Sequence, residues 1–377
     1  MIERVIRLGT LFSGIGSIEY ALKELGIEYE IEFACDNGEV KLEKEYIDKK
    51  LKEEILKDPN LNIDDCIKKI YRNKSVYNYM YETYKKNYNI QDDRWYEDVR
   101  YLDGYQYRNE IDLLVGGSPC QSFSIIGKRR GFEDVRGTLF YDYVRIIREC
   151  LPKAFIFENV KGILNHDHGK TWDTIQNIFN KLNYDIYIDN DIILNSKDYG
   201  IPQNRPRLFV IGIRSDIEHD DFVFPEKREL TTNVSDYLEN NLEVESKYYL
   251  GQKGFEFVTN PNNKNRAQIN SNIMQCQKAN QQFNWNGEFV FVPYDEIKDS
   301  KDILKKAYIS KYNGEKGAVR KLTPRECARL MGYKDALFNF PKDIPDQIKY
   351  KQAGNSIVTT MFTSILPNLI ETGVFDE

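Results

Sequence analysis

Six strand-like runs, most of them short and apolar and stopping at a turn former or a polar residue, constrain this chain more than any other feature. They are Val5 to Phe12, Ile31 to Cys35, Ile111 to Val115, Ala154 to Phe157, Tyr184 to Leu194 and Leu208 to Ile213. All read as strands, and Ile111 to Val115 and Ala154 to Phe157 have the length and composition of buried ones. Helical patterns lie between most of them. Ile18, Leu22 and Leu25 share one side of a helix, and Leu139, Tyr143, Ile146 and Cys150 share another before Pro152 stops it. Trp172 to Leu182 reads as a third. This alternation predicts an α/β fold, with a mostly parallel sheet covered by helices. Such sheets bind ligands outside the carboxyl ends of their strands, so the residues just past each run are the candidates for function.

The first run breaks into Ser13-Gly14-Ile15-Gly16-Ser17. Strand, glycine turn and helix open a nucleotide-type fold, because glycine admits a ligand close to the backbone and a helix amino end offers free N–H groups. Taken alone, a short Gly-x-Gly is often only a turn. The second run ends in Asp36, where a carboxylate can accept hydrogen bonds from ribose hydroxyls. A helix cap or a surface acid reads the same residue equally well. The third run stops at Gly116-Gly117-Ser118-Pro119, and Cys120 follows. A lone cysteine there reads first as a small buried side chain in a turn. This one is followed by a polar Gln121-Ser122-Phe123-Ser124 and by the cations Lys128, Arg129, Arg130 and Arg136. Thiol, polar loop and cations together point to a nucleophile facing an anionic substrate. The fourth run ends in Glu158, again an acid at a strand's carboxyl end.

At 377 residues, two domains are expected. The character changes after Arg214. Residues 215–320 are rich in Asn, Gln, Lys and aromatics, with short β-like pieces at Phe255 to Val258 and Phe289 to Val292. They read as a separate, smaller and irregular domain. Residues 251–330 hold 14 Lys/Arg against 8 Asp/Glu, an excess of six, so the remainder carries −12 within a net charge of −6. That asymmetry lets one domain meet an acidic polymer; ordinary solvated charge fits the counts as well. Six scattered cysteines without a C-x-x-C pair read as reduced thiols. Of three histidines, His166 and His168 read as a polar loop, and no metal site is expected. The first residues carry no signal peptide and no run is long enough to span a membrane, so a cytoplasmic location is expected. Glu39 to Asp58 reads as a surface helix within an insertion at about 37–80 whose role the residues do not reveal. Thr323, Pro324 and Glu326 form a capping-box signature for a late helix.

Six blocks in fixed order, FSGIG, GGSPCQSFS, the ENVKG after AFIF, QNRPR, RKLTPRECARLMG and QAGNS, resemble the C5-cytosine DNA methyltransferase family of bacterial and phage restriction-modification type. The resemblance covers most of residues 5–215 and 318–370. It implies a Rossmann-like, S-adenosylmethionine-dependent methyltransferase sheet in a catalytic domain of 1–214 plus 346–377. It implies a target-recognition domain at 215–320 and a hinge segment at 321–345 holding the RKLTPRECARLMG helix. Phe12, Gly14, Gly16, Asp36, Asp98, Val99, Gly117, Pro119, Asn355 and Ser356 would surround the cofactor, with no metal. Cys120 would be the nucleophile, and Glu158, Arg205 and Arg207 would handle the base. Ser124, Lys128 and Arg136 are expected near phosphates, with plain solvation the alternative for the loop charges, and the basic excess of the smaller domain makes Lys264, Arg266 and Gln268 candidates for DNA contact. The implied partner is double-stranded DNA and the implied state a monomer; a cognate restriction endonuclease stays open. Asp36-Asn37 departs from the Glu-aromatic pair of many members, and the 37–80 insertion separates Asp36 from Asp98 along the chain.

These residue types suit the chemistry. C5 of cytosine attacks a methyl donor poorly until a thiolate adds to C6 and makes the ring enamine-like. Charge then develops at N3, where an acid must donate, and Arg205 can hold the carboxylate or the carbonyl oxygen. A stacked base exposes neither face, so the nucleotide has to be flipped out. Two other readings stand beside this one: a tRNA cytosine-5-methyltransferase of the same family, and a silent nucleic-acid-binding module. The size of 215–320 suits a duplex groove, and the intact Pro119-Cys120-Gln121, Glu158 and Gln203-x-Arg205-x-Arg207 speak against decay.

Overall fold

The computed structural model describes residues 5–40, 42–72, 77–118 and 139–376. The chain divides into two compact units, one of Met1–Leu194, Pro206–Glu226 and Phe362–Glu377, the other of Asn195–Arg205 and Lys227–Met361.

The chain opens with β1 (Ile6–Leu11), β2 (Tyr29–Cys35), β3 (Trp95–Tyr96), β4 (Leu113–Gly116), β5 (Ala154–Val160) and β6 (Tyr184–Asn195). The short β7 (Gln203–Asn204) belongs to the second unit, and β8 (Pro206–Arg214) returns to the first. One sheet runs in the order β3-β2-β1-β4-β5-β8-β6. Pairings from β3 through β5 are parallel, as the β/α alternation predicts. β8 runs antiparallel to β5; the link from β6 to β8 is too short for the helical crossover a parallel neighbour needs. The chain moves outward from β1 to β3, then resumes at β4 on the other side of β1. Loops leaving β1 and β4 therefore part, and a crevice opens at their carboxyl ends.

Helices α1 (Ser17–Leu25), α2 (Lys44–Ile55), α3 (Ile63–Arg72), α4 (Tyr79–Asn87), α5 (Leu139–Cys150) and α6 (Lys170–Phe179) belong to this unit. α5 buries Phe140, Tyr143, Ile146, Ile147 and Cys150 in one core with Phe155 and Phe157 of β5. The insertion is helical and has a core of its own: Val40, Leu42, Ile47 and Leu51 pack with Cys66, Ile67, Ile70 and Tyr71. Each fully buried aliphatic side chain contributes ~1.5–3 kcal/mol, enough for α2 and α3 to hold a fixed place.

The second unit contains α7 (Gln252–Thr259), β9 (Ala267–Ile269), β10 (Met274–Gln275), β11 (Gly287–Pro293), α8 (Tyr294–Ile297), α9 (Lys301–Lys306), β12 (Ser310–Tyr312), β13 (Glu315–Lys321), α10 (Pro324–Arg329) and α11 (Asp346–Asn355). Its sheet has the order β12-β13-β11-β9. Asn313 and Gly314, with φ of 48° and 88°, turn β12 into β13 in the hairpin geometry that Asn-Gly favours. Phe255 to Val258, expected as a β-like piece, is helical. Phe255 and Val258 stand three apart, so a helix buries both on one face against Leu250, Phe289 and Phe291. Thr323 caps α10 as its sequence predicts: its Oγ1 accepts from the Glu326 N–H at 3.1 Å, and its own N–H donates to Glu326 Oε2 at 2.7 Å.

The unit boundaries differ from the expected 214/215 and 345/346. Residues 215–226 stay with the sheet: the Asp220 N–H donates to the Thr372 carbonyl, and Phe222 packs edge-on against Tyr187. The 195–205 segment joins the second unit, where Gln203 Nε2 donates to the Leu330 carbonyl at 2.8 Å. α11 belongs there too, because Tyr350 and Ala353 share a core with Leu322, Cys327 and Leu330.

Candidate active site

The loop after β1 is tied to β2 by Ser13. Its N–H donates to the Cys35 carbonyl at 3.1 Å, and its Oγ accepts from the Cys35 N–H at 3.0 Å. Phe12, Gly14 and Gly16 all have left-handed backbone, with φ of 55°, 55° and 79°. The two glycines differ in what they permit. A Cβ on Gly16 would lie 2.1 Å from the Tyr88 ring, whose hydroxyl donates to the Gly16 carbonyl at 2.6 Å. A Cβ on Gly14 would meet nothing nearer than 4.0 Å. Gly16 therefore serves internal packing, and Gly14 leaves backbone open at the crevice.

Asp36 braces this loop. Its carboxylate accepts from the Gly14 N–H at 2.9 Å and from the Gly38 N–H at 2.8 Å. Burial pushes its pKa above the ordinary carboxylate value, and the two N–H groups pull it part of the way back. Parallel pairing of Cys35 with Tyr96 brings Asp36 and Asp98 to neighbouring strand ends, across the insertion that separates them in sequence. Asp98 accepts from the Tyr71 hydroxyl at 2.7 Å and from Arg100 Nε and Nη2 at 2.9 and 2.6 Å. Buried Val99 offers its carbonyl to Arg145.

Glu158 and Arg207 form the second half of the site. Arg207 Nε lies 2.9 Å from Glu158 Oε1, with each side chain only 12% exposed. The antiparallel register sets Arg207 opposite Val160, on the same sheet face as Glu158 and diagonal to it. A Cβ on Gly117 would lie 2.7 Å from Glu158 Oε2 and 2.9 Å from its carbonyl oxygen, so only glycine lets the acid lie over the β4 loop. Asn159 Nδ2 donates to the Ser118 carbonyl at 3.0 Å and pins the same loop. Ser118 Oγ is buried and has no hydrogen-bond partner among the described residues. Pro119, Cys120, Ser124, Lys128 and Arg136 lie outside the described residues.

The remaining candidates belong to the second unit. Buried Arg205 donates to the carbonyls of Gln277, Gly354 and Ser356 at 2.6, 3.0 and 2.7 Å, and so ties the AGNS turn to residue 277. Ser356 Oγ lies 2.7 Å from the Tyr333 hydroxyl, and Asn355 is exposed. Lys264 and Arg266 are exposed; Arg266 stacks over Phe257 and donates to the Asn284 carbonyl. Sequence reasoning missed Tyr71 and Tyr88, which belong to no motif block. The density of tyrosines between Ile67 and Tyr88 was the available signal, since so many are more than a solvated linker needs. Among the described residues, no cluster of His, Cys, Asp or Glu is placed to hold a metal, and no helix is long and apolar enough to cross a membrane.

Residues 6–371 match the family model of C-5 cytosine-specific DNA methylase. The chain is 38% identical over 260 residues to the type II methyltransferase M.HhaI of Haemophilus parahaemolyticus, covering 68% of this chain and 75% of that one. It is 34% identical over 296 residues to the type II methyltransferase M1.ScrFI of Lactococcus lactis subsp. cremoris, covering 77% and 69%. The orphan methyltransferase M.SPRI of Bacillus phage SPR is 28% identical, with 99% of both chains covered. In fold, the chain resembles Dnmt2 of Spodoptera frugiperda, with a TM-score of 0.66 at 18% identity over 97% of this chain and 100% of the other. A strand order that opens a crevice between β1 and β4, the acids at the ends of β2 and β5 and the family match agree: the chain belongs to the C-5 cytosine-specific DNA methylases.

Proposed function

We propose that this enzyme transfers a methyl group from S-adenosylmethionine to C5 of a flipped-out cytosine in a specific duplex DNA site, through a covalent bond from Cys120. The observation that carries the reading is Glu158, paired with Arg207 at 2.9 Å and lying over Gly117, three residues before Cys120. The crevice fits the cofactor. Gly14 leaves backbone open, Asp36 has one hydrogen bond on each oxygen and lone pairs to spare for ribose hydroxyls, and Ser118 Oγ is an unused polar atom at the end of β4. S-adenosylmethionine supplies the methyl group.

The chain's residues do the rest. The Cys120 thiolate adds to C6, and electron density moves through the ring toward N3 and C5. Glu158, held by Arg207, provides the proton at N3, so the ring behaves as an enamine at C5. After C5 takes the methyl group, its proton leaves to a base, the Cys120–C6 bond breaks with the thiolate as leaving group, N3 returns its proton to Glu158, and the ring recovers its double bond. Flipping costs a few kcal/mol, which contacts to the DNA backbone must offset. Target recognition is assigned to 215–320, with Lys264, Arg266 and Gln268 as DNA contacts. The relatives include both type II and orphan methyltransferases, so a partner endonuclease is no part of the proposal.

Fluorine in place of the C5 hydrogen tests the path, because it permits addition and methyl transfer but blocks elimination. The enzyme should become trapped on DNA carrying 5-fluorocytosine, only with S-adenosylmethionine present, and peptide mapping should find the adduct on Cys120. Cys120→Ser should abolish trapping and Glu158→Gln should slow it. Trapping on fluorinated tRNA instead of DNA would overturn the substrate, and an adduct on Cys35, Cys150 or Cys327 would overturn the mechanism.

A further inference from the structure

The carboxylates at the ends of β2 and β3 are in opposite states. Asp36 carries one backbone donor on each oxygen. Asp98 is filled. Its Oδ1 accepts from the Arg100 N–H at 3.1 Å and Nε at 2.9 Å; its Oδ2 accepts from the Tyr71 hydroxyl at 2.7 Å and Arg100 Nη2 at 2.6 Å. A carboxylate offers about four lone-pair positions, so no acceptor capacity is left. The sheet order puts β3 outside β2. On the cofactor reading, with ribose at the end of β2, a carboxylate at the end of β3 lies beyond the ribose, on the side open to the adenine. Adenine offers such a carboxylate one kind of donor, its exocyclic amine.

Arg100 sits two residues from Asp98 and is also fixed by its bond to the Leu42 carbonyl at 2.9 Å. Tyr71 is the partner that comes from elsewhere. It stands on α3 of the insertion, its ring packed in the insertion's own core with Leu51, Ile67 and Ile70. The same helix contributes Asp64, Ile67 and Lys68 to the wall of a small recess beside Tyr96, Glu97 and Asp98. The insertion thus reaches the end of β3, and the Tyr71 hydroxyl takes an acceptor position on Asp98.

We propose that Tyr71 sets cofactor affinity: its phenol holds the position on Asp98 that the cofactor's amine requires, and binding must displace it. The inference rests on the cofactor reading given above and adds to it a residue outside every motif block. Displacement breaks a hydrogen bond to a charged acceptor, and part of that loss is regained when the freed hydroxyl finds water or another acceptor. Removing the competitor should therefore tighten cofactor binding roughly five- to tenfold. The turnover number should stay within about twofold, since Tyr71 touches no reacting atom.

The test uses the full chain with Tyr71→Phe, which keeps the buried ring. Binding of S-adenosylmethionine is measured by calorimetry, with KM and kcat on DNA, and again with an analogue that has hydrogen in place of the 6-amino group. Tighter binding of the natural cofactor, a lower KM, an unchanged kcat and no gain for the analogue are expected. Weaker binding, or equal gain for both cofactors, overturns the proposal. Should Tyr71→Phe not fold, amide exchange on the wild type decides: cofactor should speed exchange in 63–72 while slowing it in 12–16, and slowing in both overturns the displacement. If the wild type binds cofactor but Asp98→Asn binds it equally well, this inference fails and the cofactor reading stands. If the wild type binds none, both fail.

Discussion

Replacing Gly117 by alanine tests the geometry of the site through a single methyl group. The new Cβ would stand 2.7 Å from Glu158 Oε2 and 2.9 Å from the Glu158 carbonyl oxygen, where ordinary contact begins near 3.4 Å. The carboxylate can swing aside, but its Oε1 is held by Arg207. The carbonyl cannot, because Glu158 is paired with Phe209 in the β5–β8 ladder. The β4 loop must therefore give by at least about half an ångström. Overpacking of this kind costs ~1–3 kcal/mol, or roughly 3–9 °C in melting temperature for a unit of this size. The catalytic cost should be larger. The loop leads directly into Cys120, and a misplacement of about 1 Å costs ~100-fold in rate. Single-turnover methyl transfer at saturating cofactor and DNA, read beside thermal melting, separates the two effects. A variant that melts like the wild type and transfers methyl at the wild-type rate would refute the close approach of Glu158 to this loop.

Three further outcomes follow. Asp36→Ala should weaken S-adenosylmethionine binding about tenfold or more by calorimetry, from loss of hydrogen bonds to a charged acceptor, while Cys120→Ala leaves it largely intact; the opposite pattern would exchange the two roles. Burial raises the pKa of Glu19 from 4.5 to about 7, against a partly opposing hydrogen bond from Tyr84. An acid whose folded pKa is raised binds its proton more tightly when folded, so the contribution of Glu19 to stability is greatest below pH 4.5 and is lost as the pH rises through about 7. That loss is about 3 kcal/mol, and Glu19→Gln should remove it; equal pH slopes in urea unfolding of both proteins would sink this account. Exchanging 215–320 for a relative's segment should change which sites are methylated, and an unaltered methylation map would relocate the specificity.

The α/β architecture and the family were legible in the order of residues alone. Apolar runs ending at Ser13, Asp36, Gly116 and Glu158 announce buried strands, because a buried strand is stopped by groups that turn the chain or need water. The Thr323 capping box was legible for the same reason: its hydrogen bonds are local, so three neighbouring residues specify them. Features that depend on distant residues are visible only in three dimensions. Phe255 to Val258 fits either period in isolation, and only the core formed with Phe289 and Phe291 makes it a helix. Arg205 and Arg207 look equivalent in QNRPR. The β5–β8 register gives Arg207 to Glu158, whereas Arg205 turns to the carbonyls of Gln277, Gly354 and Ser356. The insertion carried no readable motif, yet Tyr71 meets Asp98. A hydroxyl's partner is chosen by packing in three dimensions, and no spacing along the chain encodes a contact between a helix core and the end of a strand.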